Sequence, residues 1–399
     1  MIQITSKILP VLFAAVLAQA CPYSSRAEQL DLEPISVLES VVPVQQEEDS
    51  AQKECSDGIE CDKSVCCGDR GCCTTPWYSC YAQAEALFWQ RDNGSGGQPL
   101  LVYEDGSPAL ETEDLGFDHQ PGVRFTVGIV RGPCHCCYAW EFGYLGLWDS
   151  NAWSTVTDLD NLYAPGDLGF GSVNGFVNAD EMRADYSSNL NSFEANCVKC
   201  CFRCCWTTCE RACGKNCSKG VCTPGSVTHR REMDVLCGFR YVAFDEGLIL
   251  ASNNARDQVD ARYDLGTDND LYGFQVGARW RAYRNRWGLE ALGKAGIYYN
   301  DASQRQVLID QLPSNPILLR DAKDTSSDVA FLGELGVSLL YEITPAWTLR
   351  GGYNLLWLEG VALAPDQLDF AFTPTAGQSI DIAGGVLYHG ASIGLEYRH

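Results

Sequence analysis

The stretch from Val329 to Tyr397 alternates apolar and polar residues in three long runs, joined by one tight turn and one long loop. In the first run Val329, Phe331, Leu335, Val337, Leu339, Tyr341 and Ile343 share one face, while Ala330, Glu334, Ser338 and Glu342 share the other. Side chains of a β-strand point alternately to its two sides, so a period of two marks a strand with one apolar face. Length constrains the fold further: soluble strands usually stop after ~5–6 residues, whereas crossing a hydrocarbon layer at a tilt takes ~9–11. Such runs predict a membrane β-barrel. A soluble sandwich could bury the same residues, but the length of the runs weighs against it. No segment after the N-terminal leader supplies the ~20 consecutive apolar residues of a spanning helix. In lipid, a strand protein satisfies all its backbone amides only as a closed barrel.

Export is written at the start of the chain. Lys7, the apolar stretch Ile8 to Leu17 and the small-residue site Ala18-Gln19-Ala20 make residues 1–20 a secretory signal peptide. Cys21 follows the cleavage site, but Ala18 and Gln19 fit ordinary signal peptidase better than lipoprotein processing. Residues 21–54 read as a disordered acidic linker, since Ala27 to Glu54 has no aromatic residue and no sustained period. Residues 55–77 form a cysteine-rich segment, and 78–399 the barrel, with a cysteine-rich insert at 197–231. The formal net charge of −23 excludes nucleic acid as a partner, because phosphate binding needs a basic surface. The partner implied is outer-membrane lipid.

Ten strands are expected: Ser79–Gln90, Gly122–Val130, Tyr138–Trp148, Arg183–Asn196, Glu232–Phe244, Leu271–Tyr283, Trp287–Tyr299, Val329–Ile343, Trp347–Leu358 and Gly385–Arg398. The fourth keeps Tyr186, Leu190, Phe193 and Ala195 in phase only through a bulge. Short turns (Arg131 to Cys137, Arg284 to Arg286, Thr344 to Ala346) alternate with long loops (Arg91 to Pro121, Asp149 to Met182, Asp245 to Asp270, Asn300 to Asp328, Glu359 to Gly384). Short periplasmic turns and long external loops are the habit of an antiparallel up-and-down barrel. A count of twelve follows if a long loop folds into a further hairpin. An even count puts both termini in the periplasm.

Lipid-facing positions hold Tyr272, Phe274, Val276, Ala278 and Trp280 on one strand and Tyr138, Trp140, Phe142, Tyr144 and Trp148 on another. Trp287, Tyr299, Tyr341, Trp347 and Trp357 near strand ends suit the two interfacial girdles. The opposite phase holds Glu85, Arg124, Glu141, Arg240, Arg279, Arg281, Glu290, Lys294, Glu334, Arg350 and Glu396. Mixed charges facing inward predict a lumen of paired groups, narrow or closed.

Twenty-one cysteines in an exported chain point to disulfides. The candidates are Cys55, Cys61, Cys66, Cys67, Cys72, Cys73 and Cys80, then Cys134, Cys136 and Cys137, then Cys197, Cys200, Cys201, Cys204, Cys205, Cys209, Cys213, Cys217 and Cys222; Cys237 stands alone in a strand. The topology puts all three clusters on the periplasmic side. Cys197, Cys201, Cys205, Cys209, Cys213 and Cys217 recur every fourth residue, which on a helix makes one stripe, so partners from the other clusters are favoured over strained bonds within it. Cys-x-x-Cys spacing is also that of zinc sites, but no nearby histidine completes a set and the compartment is oxidising, so no metal or other cofactor is assigned. Enzyme constellations are thin: His389 and Ser392 fall on opposite faces, and His119 beside Asp118 reads as a solvated loop residue. The group Asp264, Asp268, Asn269 and Asp270 lacks the spacing of a calcium loop and reads as a solvated loop.

Several phrases are longer than strand pattern alone demands: QAEALFWQRDNGSGGQPL from Gln83, FGYLGLWD from Phe142, GFRYVAFDE from Gly238, LYGFQVGARW from Leu271, GKAGIYYNDASQ from Gly293 and GYNLLWLEGVALAPDQLDF from Gly352. Through them the chain resembles the putative beta barrel porin family, type seven, from about Ala82 to its end. The resemblance implies an outer-membrane barrel and supplies no catalytic residues. A structural or passive-transport role follows, with a second reading as an envelope scaffold whose cysteines cross-link other envelope proteins.

Overall fold

A computed structural model describes residues 78–92, 96–131, 138–210, 225–254, 259–312 and 315–399. The signal peptide, the linker and the 55–77 segment lie outside the described residues, as do Cys134, Cys136, Cys137, Cys213, Cys217 and Cys222. Among the described residues twelve strands form one sheet: β1 (Tyr78–Arg91), β2 (Pro99–Tyr103), β3 (Pro108–Glu111), β4 (Gln120–Arg131), β5 (Tyr138–Tyr163), β6 (Ala179–Glu210), β7 (Gly225–Asn253), β8 (Asp260–Arg284), β9 (Trp287–Leu312), β10 (Asn315–Glu342), β11 (Trp347–Val361) and β12 (Gly384–Arg398).

Ten of these close into a ring. β1 pairs with both β4 and β12, each later strand pairs with its chain neighbour, and β5 pairs with β6, all antiparallel. The additional hairpin β2–β3 comes from the first long loop and joins β5 only at Val102–Tyr163 and Tyr103–Leu162, outside the ring. No described helix is long and apolar enough to cross a membrane.

Alternation sorts the two faces. On β10, Val329, Leu335, Val337 and Leu339 are exposed on the outer surface while Ala330, Leu332, Glu334 and Leu340 are buried inside. Two aromatic belts bound the outer apolar band: Trp287, Tyr341, Trp347 and Tyr397 at the end with the termini, and Tyr241, Tyr272, Tyr299 and Trp357 at the other. Trp287 and Tyr299 lie on one strand, and at ~3.3 Å per residue and ~40° tilt their spacing matches a hydrocarbon core of about 30 Å. Tyr144 shares the outer phase but is buried, because Phe193 packs against it at 4.8 Å and its hydroxyl donates to Asn191 Oδ1.

The strands overrun the expected boundaries. β5 to β10 run for 25 to 32 residues, so most of Asp149 to Met182, Asp245 to Asp270 and Asn300 to Asp328 is strand and not loop. Above the membrane the outer face meets water, so its residues turn polar and the apolar signal of a strand disappears. The inner phase persists: Leu248, Leu250, Tyr263, Leu265 and Leu308 remain buried. Asp264, Asp268, Asn269 and Asp270 likewise belong to β8 and not to a solvated loop. Cys197 to Glu210, the first part of the cysteine insert, belongs to β6 and not to a helix, with a register shift against β7 between Cys200 and Phe202. The bulge expected in β6 sits instead in β5, between Leu147 and Ser150; β6 pairs with β7 without interruption from Glu181 to Cys200, so Tyr186 and Leu190 point inward while Phe193 and Ala195 point outward. Cys80 and Cys200 each take part in a disulfide, while Cys197, Cys201 and Cys237 are free thiols.

Candidate functional site: the barrel interior

The lower interior, at the end with the termini, is a belt of charge to which every strand of the ring contributes. Arg350 on β11 gathers three carboxylates: Glu85 from β1 at 3.1 Å, Glu396 from β12 at 2.8 Å and Glu290 from β9. Arg281 from β8 shares Glu290 and Glu396. Glu334 on β10 accepts from Arg124 of β4 at 2.7 Å and Arg240 of β7 at 2.9 Å, with Lys294 of β9 at 3.8 Å. Arg279 lies 2.9 Å from Glu141 of β5, whose carboxylate also accepts from Tyr81. The eleven charges read from the sequence are thus joined in one interior, and Arg124 is the most exposed of them with a side chain 12% accessible.

One member was missed. Glu194 on β6 lies 2.7 Å from Lys294 and accepts from Gln275 at 2.6 Å. It adds a sixth carboxylate to Glu85, Glu141, Glu290, Glu334 and Glu396, which face the cations Arg124, Arg240, Arg279, Arg281, Lys294 and Arg350. The signal for it was parity counted back from Asn196, obscured by the bulge assigned to the wrong strand. Taking a charge out of water costs several kcal/mol unless a partner compensates it, so pairing is what allows these ions inside a barrel of this size. A cavity among them measures about 20 Å³, the room of one water molecule.

Above the ions lies an apolar tier in which Leu87, Trp89, Leu147, Leu190, Phe244, Leu271, Leu332, Leu356 and Leu358 meet from opposite walls. Above that, the segment between β11 and β12, residues 362–383, folds inward as a plug. Gly360 starts the turn at φ +82°, and a Cβ there would stand 2.8 Å from the Val329 carbonyl oxygen, so glycine is required. The wall then satisfies the plug's backbone. Asn269 accepts from the Ala362 N–H and donates to its carbonyl, Glu246 accepts from Ala364, Gln306 donates to the Gln367 carbonyl, and Arg320 donates to that of Asp369 at 2.7 Å. Leu100, Leu101, Leu110, Leu115 and Phe117 of the β1–β4 connection fill the remaining mouth with Phe176, Leu248, Tyr263 and Leu308. Arg91 pairs with Glu246 between the two upper tiers, its guanidinium 4.6 Å from the Phe117 ring and 4.9 Å from that of Tyr186.

Asp366 in the plug faces Asp381 and Glu246; burial first, then their repulsion, lifts its carboxyl from 3.8 to about 6. The folded plug therefore holds a proton more tightly than the unfolded chain. That contribution is complete below about pH 4 and is lost as pH rises to about 6. Hydrogen exchange across residues 362–383, corrected for intrinsic rate, should show weaker protection at pH 8 than at pH 4, and Asp366→Asn should flatten the difference. Equal protection at both pH values would refute this.

The enzyme candidates stay apart. His389 points outward, with Tyr353 Oη 2.7 Å from Nδ1, while Ser392 is buried and accepts from Asn354 at 3.0 Å. His119 is exposed. No group of three potential metal ligands occurs among the described residues.

A family profile described as Putative beta barrel porin-7 matches residues 171–385, more than half of the sequence. The chain belongs to that family. It is accordingly a porin-like barrel of the outer membrane. No curated protein matches it in sequence. Among solved structures it is similar to the outer membrane protease OmpT of Escherichia coli (10% identity, TM-score 0.42, covering 82% of this chain and 99% of that one). A FadL homologue of Pseudomonas aeruginosa follows (8%, 0.20, 81% and 90%), with the outer membrane channel DcaP of Acinetobacter baumannii (6%, 0.19, 81% and 96%).

Proposed function

We propose that this porin-family barrel is closed to solutes and serves the outer membrane as a structural element. The observation that carries this reading is the succession of three fillings along one axis: paired ions, an apolar tier and an inward plug. Barrels of eight to ten strands enclose little beyond their own side chains, and aqueous channels belong to those of ~16 or more. Recording from the purified protein in a planar lipid bilayer tests it. Conductance should be absent or far below that of a general porin. Large steady currents would overturn the reading.

A second reading, as an envelope scaffold, draws on Cys201, an exposed free thiol on the bulged lower part of β6. It predicts oligomers on non-reducing electrophoresis of envelope extracts that collapse with reductant.

A further inference from the structure

The outer surface of the barrel carries opposite charge at its two membrane boundaries. At the end with the termini, Arg131 on β4, Lys199 on β6, Arg231 on β7, Arg284 on β8 and Arg286 in the β8–β9 turn are exposed. Parity puts the strand residues on the outside: Arg131 follows outward Ile129, Arg231 precedes outward Met233, and Arg284 follows outward Trp280. Arg131 and Lys199 are both paired in register with Tyr138, and Arg284 with Trp287. Arg284 is the register partner of Trp287 in the lower aromatic belt, and Arg286 directly precedes it. At the opposite boundary the outward positions just beyond Tyr241, Tyr272 and Tyr299 are Asp245, Asp268, Asp270 and Asp301.

We propose that the basic arc binds the phosphate headgroups of anionic phospholipids in the inner leaflet, and so fixes the height and orientation of the barrel. A lipid is favoured over a soluble polyanion because the arc is continuous with the apolar band. A lipid whose tails lie along Ile129, Trp140, Met233 and Trp280 presents its headgroup at this height. Four of the five groups are arginines, whose planar fork matches phosphate oxygens in pairs. Near an anionic surface each such cation adds attraction that does not depend on a shaped pocket. The acidic boundary at the other end would repel the same headgroups, so the two arcs reinforce one orientation.

The test uses the full chain, purified in detergent with an equimolar mixture of phosphatidylglycerol and phosphatidylcholine, and native mass spectrometry to count the lipids retained. Wild type should retain phosphatidylglycerol over phosphatidylcholine by at least tenfold. The combined variant Lys199→Gln, Arg231→Gln, Arg284→Gln and Arg286→Gln should lose that preference, while Asp268→Asn with Asp270→Asn and Asp301→Asn should keep it. Each preparation is checked for folding by its heat-dependent electrophoretic shift. If the fourfold variant does not fold, Arg231→Gln and Arg284→Gln taken singly should each lower the preference severalfold. Equal retention by wild type, or an unchanged preference in the folded variants, would overturn the proposal.

Discussion

Replacing Arg350 with Ala should lower the unfolding free energy of the barrel by ~3–5 kcal/mol, the usual cost of removing one partner from a buried ion pair. Arg350 joins carboxylates from β1, β9 and β12; Arg281 shares Glu290 and Glu396 with it, and Arg398 also pairs with Glu396. Without Arg350, Glu290 is left to Arg281 and Glu85 to Arg124 at 3.5 Å, while Glu396 is shared by Arg281 and Arg398, in a place that water reaches poorly. Because β1 and β12 form the closing seam of the ring, the loss falls where the barrel is joined. Denaturant unfolding in lipid, followed by tryptophan fluorescence, measures it. Adding Glu85→Gln and Glu290→Gln to Arg350→Met should recover part of the loss, since neutral groups need no counter-ion. An Arg350→Ala midpoint equal to that of wild type would show that the belt is solvated and the pairs weak.

The belt was legible in the sequence because a strand exposes its inner face at every second residue, and ions at those positions must be matched. Glu290 and Lys294 on β9, or Arg279 and Arg281 on β8, need no more than parity to be placed inside. Glu194 escaped because its strand was given a bulge that the fold puts on β5, which shifts the phase of each residue beyond it. Strand ends were misread for a different reason. Residues such as Asp301, Ser303 and Arg305 are outward, wet and polar, so the sequence there resembles a loop although β9 continues to Leu312. The inner residues Ala302, Gln304 and Gln306 hold the phase, but as partners of a plug they are partly polar as well. The plug itself leaves no periodic trace. It is irregular backbone whose carbonyls are satisfied by side chains from distant strands, Arg320 and Gln306 foremost, and no local pattern encodes such contacts.

Shortening the plug, with residues 366–381 replaced by a brief Gly-Ser turn, should leave the barrel without measurable current, although it removes the largest single obstruction. Obstructions along one axis act in series, so the tightest one remaining sets the flow. Beneath the plug, Phe244 and Leu332 still meet in the apolar tier, and Arg240 and Glu334 still bridge β7 and β10 at 2.9 Å. These four side chains lie along the inner faces of only two strands, Phe244 above Arg240 and Leu332 above Glu334. Replacing all four with Ala clears a column through both lower tiers and removes one positive and one negative charge, so the net charge of the interior is unchanged. That variant alone should also fail to conduct, because the plug stays in place through Asn269, Glu246 and Arg320. Combining it with the shortened plug should produce discrete single-channel steps in a planar bilayer. Steps of the same size from the shortened plug by itself would mean that the ion and apolar tiers are already permeable, and that the plug is the only gate.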